Sequence, residues 1–179
     1  MGEWYFRSED ERFGLHINEQ QRGKLYAICS TSGDKETGGI LIGRYSQSHD
    51  CALVSEITPP PKDSLQQKFR FIRGIIGLQE RLKSSWKQNH DYYLGEWHFH
   101  PSSSPLYSPV DETQMVAISA DQEYHCPEPI LLIIGGSKEL GWKASVHVFP
   151  LSKVPVALLP RDYHLESSAC PGTSEAEVS

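Results

Sequence analysis

The heptapeptide GEWHFHP places His98 and His100 one residue apart on a segment that a proline ends. Residues i and i+2 of a β-strand point to the same face, so a strand here projects both imidazoles together, with Glu96 beside them. Trp97 and Phe99 then point the other way, into apolar packing. The pattern therefore predicts a rigid strand that presents two imidazoles to one site.

A second motif, SPVD, follows after a short loop. Ser108 is a favoured helix N-cap, Pro109 suits the first helical position, and Asp111 falls at the third, which is a capping box with Asp in place of Glu. A helix cap alone would explain this motif. Together with the two histidines, however, it completes a set of two imidazoles and one carboxylate. Such a set leaves one tetrahedral position open for water, as catalytic zinc sites do.

A water activated by a metal needs a nearby base to take its proton. Three glutamates are candidates. Glu96 and Glu112 lie close to the motifs in sequence, and Glu36 lies where a loop enters the apolar segment GGILIG. Spacing alone does not choose among them.

Strand and helix patterns interleave along the chain, which predicts an α/β fold with a mixed β-sheet sandwiched by helices in a single domain. The predicted elements are an opening strand or hairpin in 3–17, a helix in 18–29, strands at 38–45, 51–58, 92–100, 129–136 and 142–149, a long central helix over 64–87 capped by Asp63 or Ser64, and a helix over 111–122. After Pro150 the pattern is lost. We expect the domain to span 1–160 and a flexible C-terminal tail to span 161–179.

The composition narrows the class of function. A net charge of −6 and a pI near 5.7 argue against a nucleic-acid binder, whose surface would be basic. The chain carries neither an apolar run of the roughly 18 residues that a membrane span needs nor a secretory signal pattern, so we expect a cytoplasmic protein. The four cysteines form no CxxC pair, which argues against structural zinc, and no disulfide framework is expected.

The segments ETGGILIG, HFHP and SPVD resemble the JAMM zinc metalloproteases of the JAB/MPN fold. The resemblance implies that His98, His100 and Asp111 bind one catalytic Zn²⁺. It also implies that Glu36 is the general base and that Ser108 helps to stabilise the tetrahedral intermediate.

The resemblance covers about residues 3–150 and is strongest to bacterial members, including the deconjugating peptidases of CBASS antiphage operons. It implies an isopeptidase that cleaves after the C terminus of a conjugated protein and so reverses its attachment to targets. The conjugated protein would be a cyclic-nucleotide synthase or a ubiquitin-like modifier, and a ubiquitin-activating and conjugating-like enzyme would act in the same pathway. Phe99 stands where eukaryotic relatives usually carry Ser or Thr, but its side chain should face away from the metal.

Two other functions fit part of the pattern. Many MPN domains have lost their ligands and serve as silent scaffolds, although all five functional positions are filled here. Two histidines and one carboxylate can also hold non-haem iron. Cupin-like iron sites, however, place a glutamate where this chain has Ser104 or Pro105.

Overall fold

The computed structural model describes residues 2–139 and 141–162. The strands are β1 (Trp4–Arg7), β2 (Gly14–Ile17), β3 (Thr37–Tyr45), β4 (Cys51–Ile57), β5 (Leu65–Gln67), β6 (Arg70–Ile72), β7 (Tyr92–Pro101), β8 (Ile130–Ser137), β9 (Gly141–Val148) and β10 (Val156–Pro160). The helices are α1 (Glu19–Thr31), α2 (Leu78–Asn89) and α3 (Pro109–Ala120), and a 3₁₀ turn spans Gln122–Tyr124.

Within the described residues, eight strands form one mixed sheet that curls until its two edges meet, in the order β1-β10-β9-β8-β7-β3-β4-β2. The pairs β7/β8 and β2/β4 are parallel and the others are antiparallel. Parallel neighbours need a crossover connection, and α3 lies on the one between β7 and β8. The predicted mixed sheet of an α/β domain is confirmed, and its closure into a barrel is an additional finding.

Helices cover both faces of this sheet. Successive residues of β8 alternate between two cores, as the two-residue period of a strand requires. Leu132 packs in a core that includes Leu25 of α1, whereas Leu131 packs in a second core that includes Met115 of α3. Helix α2 covers the second core through Leu78 and partly buried neighbours. His98 and His100 of β7 project toward this second face, because Trp97 and Phe99, which alternate with them, pack in the first core.

The long central helix predicted over 64–87 is wrong in its first half. Residues 65–72 form an antiparallel hairpin of β5 and β6, and α2 begins only at Leu78, after Gly77 in the left-handed region at φ 83°. Asp63 caps no helix. Its carboxylate instead accepts hydrogen bonds from the Ile75 and Ile76 amides, which holds them in a turn. The apolar residues that suggested a helix face are largely exposed, with Phe69 at 83% and Ile75 at 72%.

Other predicted elements agree with the structure. The opening segment is the β1/β2 hairpin, and Asn18 caps α1 by accepting from the Gln21 amide at 2.9 Å. Strand β10 was not predicted. The predicted tail, 161–179, lies outside the described residues apart from Arg161 and Asp162.

The three described cysteines, Cys29, Cys51 and Cys126, are buried. Burial raises the pKa of both Cys29 and Cys126 to about 12, so these side chains behave as small apolar groups. None of the helices in the described part of the chain has the length and apolar character that a membrane crossing requires.

Candidate metal centre

Strand β7 presents both histidines from the centre of the sheet. Trp97 and Phe99 are 0% and 2% exposed and pack in the first core, as predicted from their alternation. His98 and His100 point to the opposite face, where His98 is buried and His100 is half-buried. Because β7 is paired on both sides, by β3 and β8, the backbone that carries the imidazoles is held along its length.

The first turn of α3 supplies the carboxylate. Ser108 is the N-cap, and its hydroxyl accepts from the Asp111 amide at 3.2 Å. Oδ2 of Asp111 accepts from the Ser108 amide and from the Ser108 hydroxyl, both at 2.7 Å, so the predicted capping box is present. The other carboxylate oxygen, Oδ1, lies 2.9 Å from Nδ1 of His98. One side chain therefore caps the helix and reaches the histidines.

The three side chains fit a metal ion. One donor atom each from His98, His100 and Asp111 lies within 4.8 Å of the others. Among the described residues, Nε2 of His98 is a buried polar atom without a hydrogen-bond partner, which a ligand would satisfy. Two imidazoles and a carboxylate are donors that suit Zn²⁺. The arrangement can hold a metal and leave a coordination position for water or substrate.

The protonation of two ligands suits metal binding, which requires neutral imidazole and ionised carboxylate. Burial lowers the pKa of His100, although Asp111 acts in the opposite direction. Burial tends to raise the pKa of Asp111, but the hydrogen bonds with His98 and Ser108 outweigh it and hold the pKa at about 2. Asp111 is therefore ionised at neutral pH.

Glu36 lies at the edge of this group, immediately before β3. It is half-buried, and burial, followed by the negative charge of Asp111, raises the pKa of its carboxyl while His98 partly offsets the shift. In the β3/β7 register Thr37 pairs with Phe99, so the end of β3 that follows Glu36 lies beside the end of β7 that carries the histidines. A carboxylate with a raised pKa is the kind of group that acts as a general base near neutral pH.

The surroundings of the other two candidate glutamates are as follows: Glu96 is engaged in an ion pair, and Glu112 lies on α3. Glu96 projects to the same face as the histidines, but it is fully buried and its carboxylate is bound by Arg73 and by the Tyr93 hydroxyl. Both of its carboxylate oxygens therefore already accept hydrogen bonds from the protein. Glu112 is half-buried on the first turn of α3.

Two residues at the site were not found from the sequence. Phe71 of the β5/β6 hairpin packs edge-on against the His98 ring, with centroids 5.3 Å apart and planes at 75°. Gly38 lies beneath them, where a Cβ would approach Phe71 Cε1 to 2.6 Å and the Trp97 carbonyl to 2.3 Å. Only glycine allows this approach. Phe71 was missed because a helix was predicted over 64–87. The adjacent glycines Gly38 and Gly39 were the one feature of the sequence that indicated close packing here.

Comparisons with known proteins agree with this geometry. Residues 18–146 match the family described as prokaryotic homologs of the JAB domain. A protein of Enterobacter hormaechei named CD-NTase/cGAS isopeptidase is 39% identical over 153 residues, which are 86% of this chain and 84% of that protein. A Pseudomonas aeruginosa protein of the same name is 27% identical over 78% of this chain and 87% of its own.

A solved structure shows the same fold at low sequence identity. The solution structure of a Desulfitobacterium hafniense protein aligns with a TM-score of 0.52 and 18% identity, over 83% of this chain and 88% of that one.

Proposed function

The chain belongs to the family of prokaryotic homologs of the JAB domain, and from that premise we propose that it is a zinc-dependent isopeptidase. The observation that carries the proposal is the convergence of His98, His100 and Asp111, whose donor atoms lie within 4.8 Å of one another. These three residues would hold one Zn²⁺. The chemistry that zinc supplies in such a site is polarisation of a carbonyl and activation of water as a nucleophile.

Glu36 and Ser108 would carry the remaining steps. Glu36 would accept a proton from the attacking water and pass it to the leaving amine, and the raised pKa of its carboxyl suits both transfers. The Ser108 hydroxyl donates to Asp111 here. Rotation of that O–H toward the substrate would let it donate to the carbonyl oxygen as negative charge develops.

The substrate proposal rests on the relatives, which are named CD-NTase/cGAS isopeptidases. We propose that the protein cleaves after the C terminus of a conjugated cyclic-nucleotide synthase, or of a ubiquitin-like modifier, and so releases it from its targets. A ubiquitin-activating and conjugating-like enzyme would form the bond that this protein breaks. The reaction would take place in the cytoplasm, in antiphage defence of the CBASS type.

The test is cleavage of a defined junction. A synthase of the CD-NTase class, fused through its C terminus to a reporter protein, should be cut at that junction by the zinc-loaded enzyme. Chelation should stop the cleavage and added Zn²⁺ should restore it, whereas an iron enzyme would contain iron by elemental analysis and require it.

Two controls define specificity in the same assay. Replacing the last synthase residue with Trp should block cleavage, because a backbone that passes close to a metal leaves little room for a side chain. Unfolded casein should be a poor substrate. Cleavage of casein as fast as the fusion would make the protein a general peptidase, and no cleavage of either would favour a silent scaffold.

A further inference from the structure

The β5/β6 hairpin is attached to the domain in an unusual way. It forms its own two-stranded sheet, and within the described residues none of 65–72 belongs to either hydrophobic core. Leu65, Phe69 and Ile72 are 39%, 83% and 45% exposed. Apolar burial therefore contributes little to holding the hairpin where it lies, although its Phe71 contacts a candidate metal ligand.

A buried ion pair lies just behind the hairpin. Nε of Arg73 lies 2.8 Å from both carboxylate oxygens of Glu96, and the two side chains are 8% and 0% exposed. The guanidinium also donates to the Gly74 carbonyl and the Tyr124 hydroxyl, while Tyr93 donates to Glu96. A planar guanidinium with several fixed donors sets the orientation of the segment that carries it. This network joins the end of β6 to the middle of β7, two residues before His98.

Hydrogen bonds close the two ends of the hairpin beside Arg73. The Ser64 hydroxyl accepts from the Gly74 amide at 2.9 Å, and Asp63 accepts from the two amides that follow. The two ends of the hairpin are therefore tied together beside Arg73.

The hairpin also contacts the site at two points. Phe71 packs on His98, and the Gln67 carbonyl accepts from the Glu36 amide at 2.8 Å. The contacts at the candidate ligand and at the candidate base are thus both made by one small sheet. The buried Arg73–Glu96 pair attaches the hairpin to β7 as well.

We infer that Arg73 is a positioning residue: its ion pair with Glu96 seats the hairpin, so that Phe71 is held on His98 and Gln67 is held on Glu36. The catalytic part of this inference rests on the proposed function. A buried ion pair is weak evidence for stability, because desolvation offsets much of the attraction, so orientation is the role that the geometry supports.

The test compares three variants of the full chain. Arg73→Met alone leaves Glu96 buried without its partner and is expected to be unstable. The double variant Arg73→Met/Glu96→Gln removes both charges and keeps an oxygen for Tyr93, so it is expected to fold with near wild-type stability. Arg70→Met, in the same hairpin but exposed, is the matched control.

Three readouts separate positioning from stability. In the double variant, hydrogen exchange of the Glu36 amide should accelerate by roughly tenfold or more while the β7 and β8 amides keep their protection. Zinc content should be unchanged, and kcat for the fusion substrate should fall by about 10²-fold, as expected when a catalytic group is misplaced. Arg70→Met should change kcat by no more than about twofold.

A stable double variant with wild-type exchange at Glu36 and wild-type kcat would overturn the inference. The inference would also be overturned if the double variant regained both the melting temperature and the kcat that Arg73→Met loses. Arg73 would then act only through stability. If the wild-type enzyme cleaves no fusion, the proposed function fails. Faster hydrogen exchange of the Glu36 amide in the double variant would still support the inference that the Arg73–Glu96 pair holds the hairpin in place.

Discussion

The ligand side of the site and the hairpin side are held by different kinds of contact. His98, His100 and Asp111 stand on β7 and α3, which pack into the cores, and a 2.9 Å hydrogen bond already joins His98 to Asp111. The hairpin reaches the site through one ring contact and one backbone hydrogen bond. Metal binding should therefore be robust, whereas the placement of Glu36 should be sensitive to changes that leave the metal bound.

The largest effect is expected on the ligand side. The double variant His98→Ala/His100→Ala should lose nearly all bound zinc and all detectable cleavage, because one carboxylate alone cannot hold the ion against water. Metal analysis after desalting and the fusion assay would measure both. His49→Asn, at an exposed turn, is the control and should behave as wild type. Full zinc retention by the double variant would refute the ligand assignment.

The next effect separates the two sides. Glu36→Gln should keep zinc and melting temperature but lose about 10²–10⁴-fold in kcat, the usual contribution of a general base. Steady-state kinetics with metal analysis of the same sample would test this. Glu112→Gln is the matched control. A larger loss of kcat in Glu112→Gln than in Glu36→Gln would identify Glu112 of α3 as the general base.

The local geometry on one side of the site, the strand alternation and the helix cap, agrees with the prediction from the sequence, whereas the hairpin on the other side was missed for a physical reason. The alternation around His98 and the cap at Ser108 are local patterns, and each fixes its side-chain directions within a few residues. The hairpin is followed by Arg73, whose buried contact with Glu96 no spacing in the chain reveals. The apolar residues of the hairpin and of the turn after it recur at helical intervals, yet Phe69 and Ile75 are exposed.

A smaller, mixed effect is expected for Ser108→Ala. Losing one oxyanion donor should lower kcat by on the order of 10²–10³-fold, and losing the cap should cost about 1 kcal/mol of unfolding free energy. Asn18→Ala removes an equivalent cap from α1, away from the site. This variant therefore shows how much the loss of a cap alone lowers the free energy of unfolding. Equal kcat values for the two variants at equal stability would leave Ser108 only as a cap.

The smallest effect concerns the turn at the end of the hairpin, which Asp63 holds through hydrogen bonds. The hydrogen bond from the Ile75 amide, supported by that from Ile76, lowers the pKa of Asp63. A carboxyl whose folded pKa is lowered stabilises the fold above its unfolded value of about 3.9, and this contribution is lost as pH falls through the folded value. In an NMR titration the Ile75 and Ile76 amides should shift with a midpoint below about 3.9.

The β7 amides should keep their exchange protection over the same range of pH. In Asp63→Asn, which cannot titrate, the Ile75 and Ile76 shifts should stay flat. A midpoint at or above the ordinary value would mean that Asp63 does not hold the turn in solution.

The closure of the sheet has a consequence for any shortened version of the protein. The family match covers 18–146, yet β1, β2 and β10 lie outside that range and complete the barrel. A fragment cut at the match would leave the edges of β4 and β9 unpaired and remove Leu15 and Leu158 from the first core. Unprotected edges of this kind recruit other chains. Such a fragment should precipitate on expression even though it contains every candidate metal ligand.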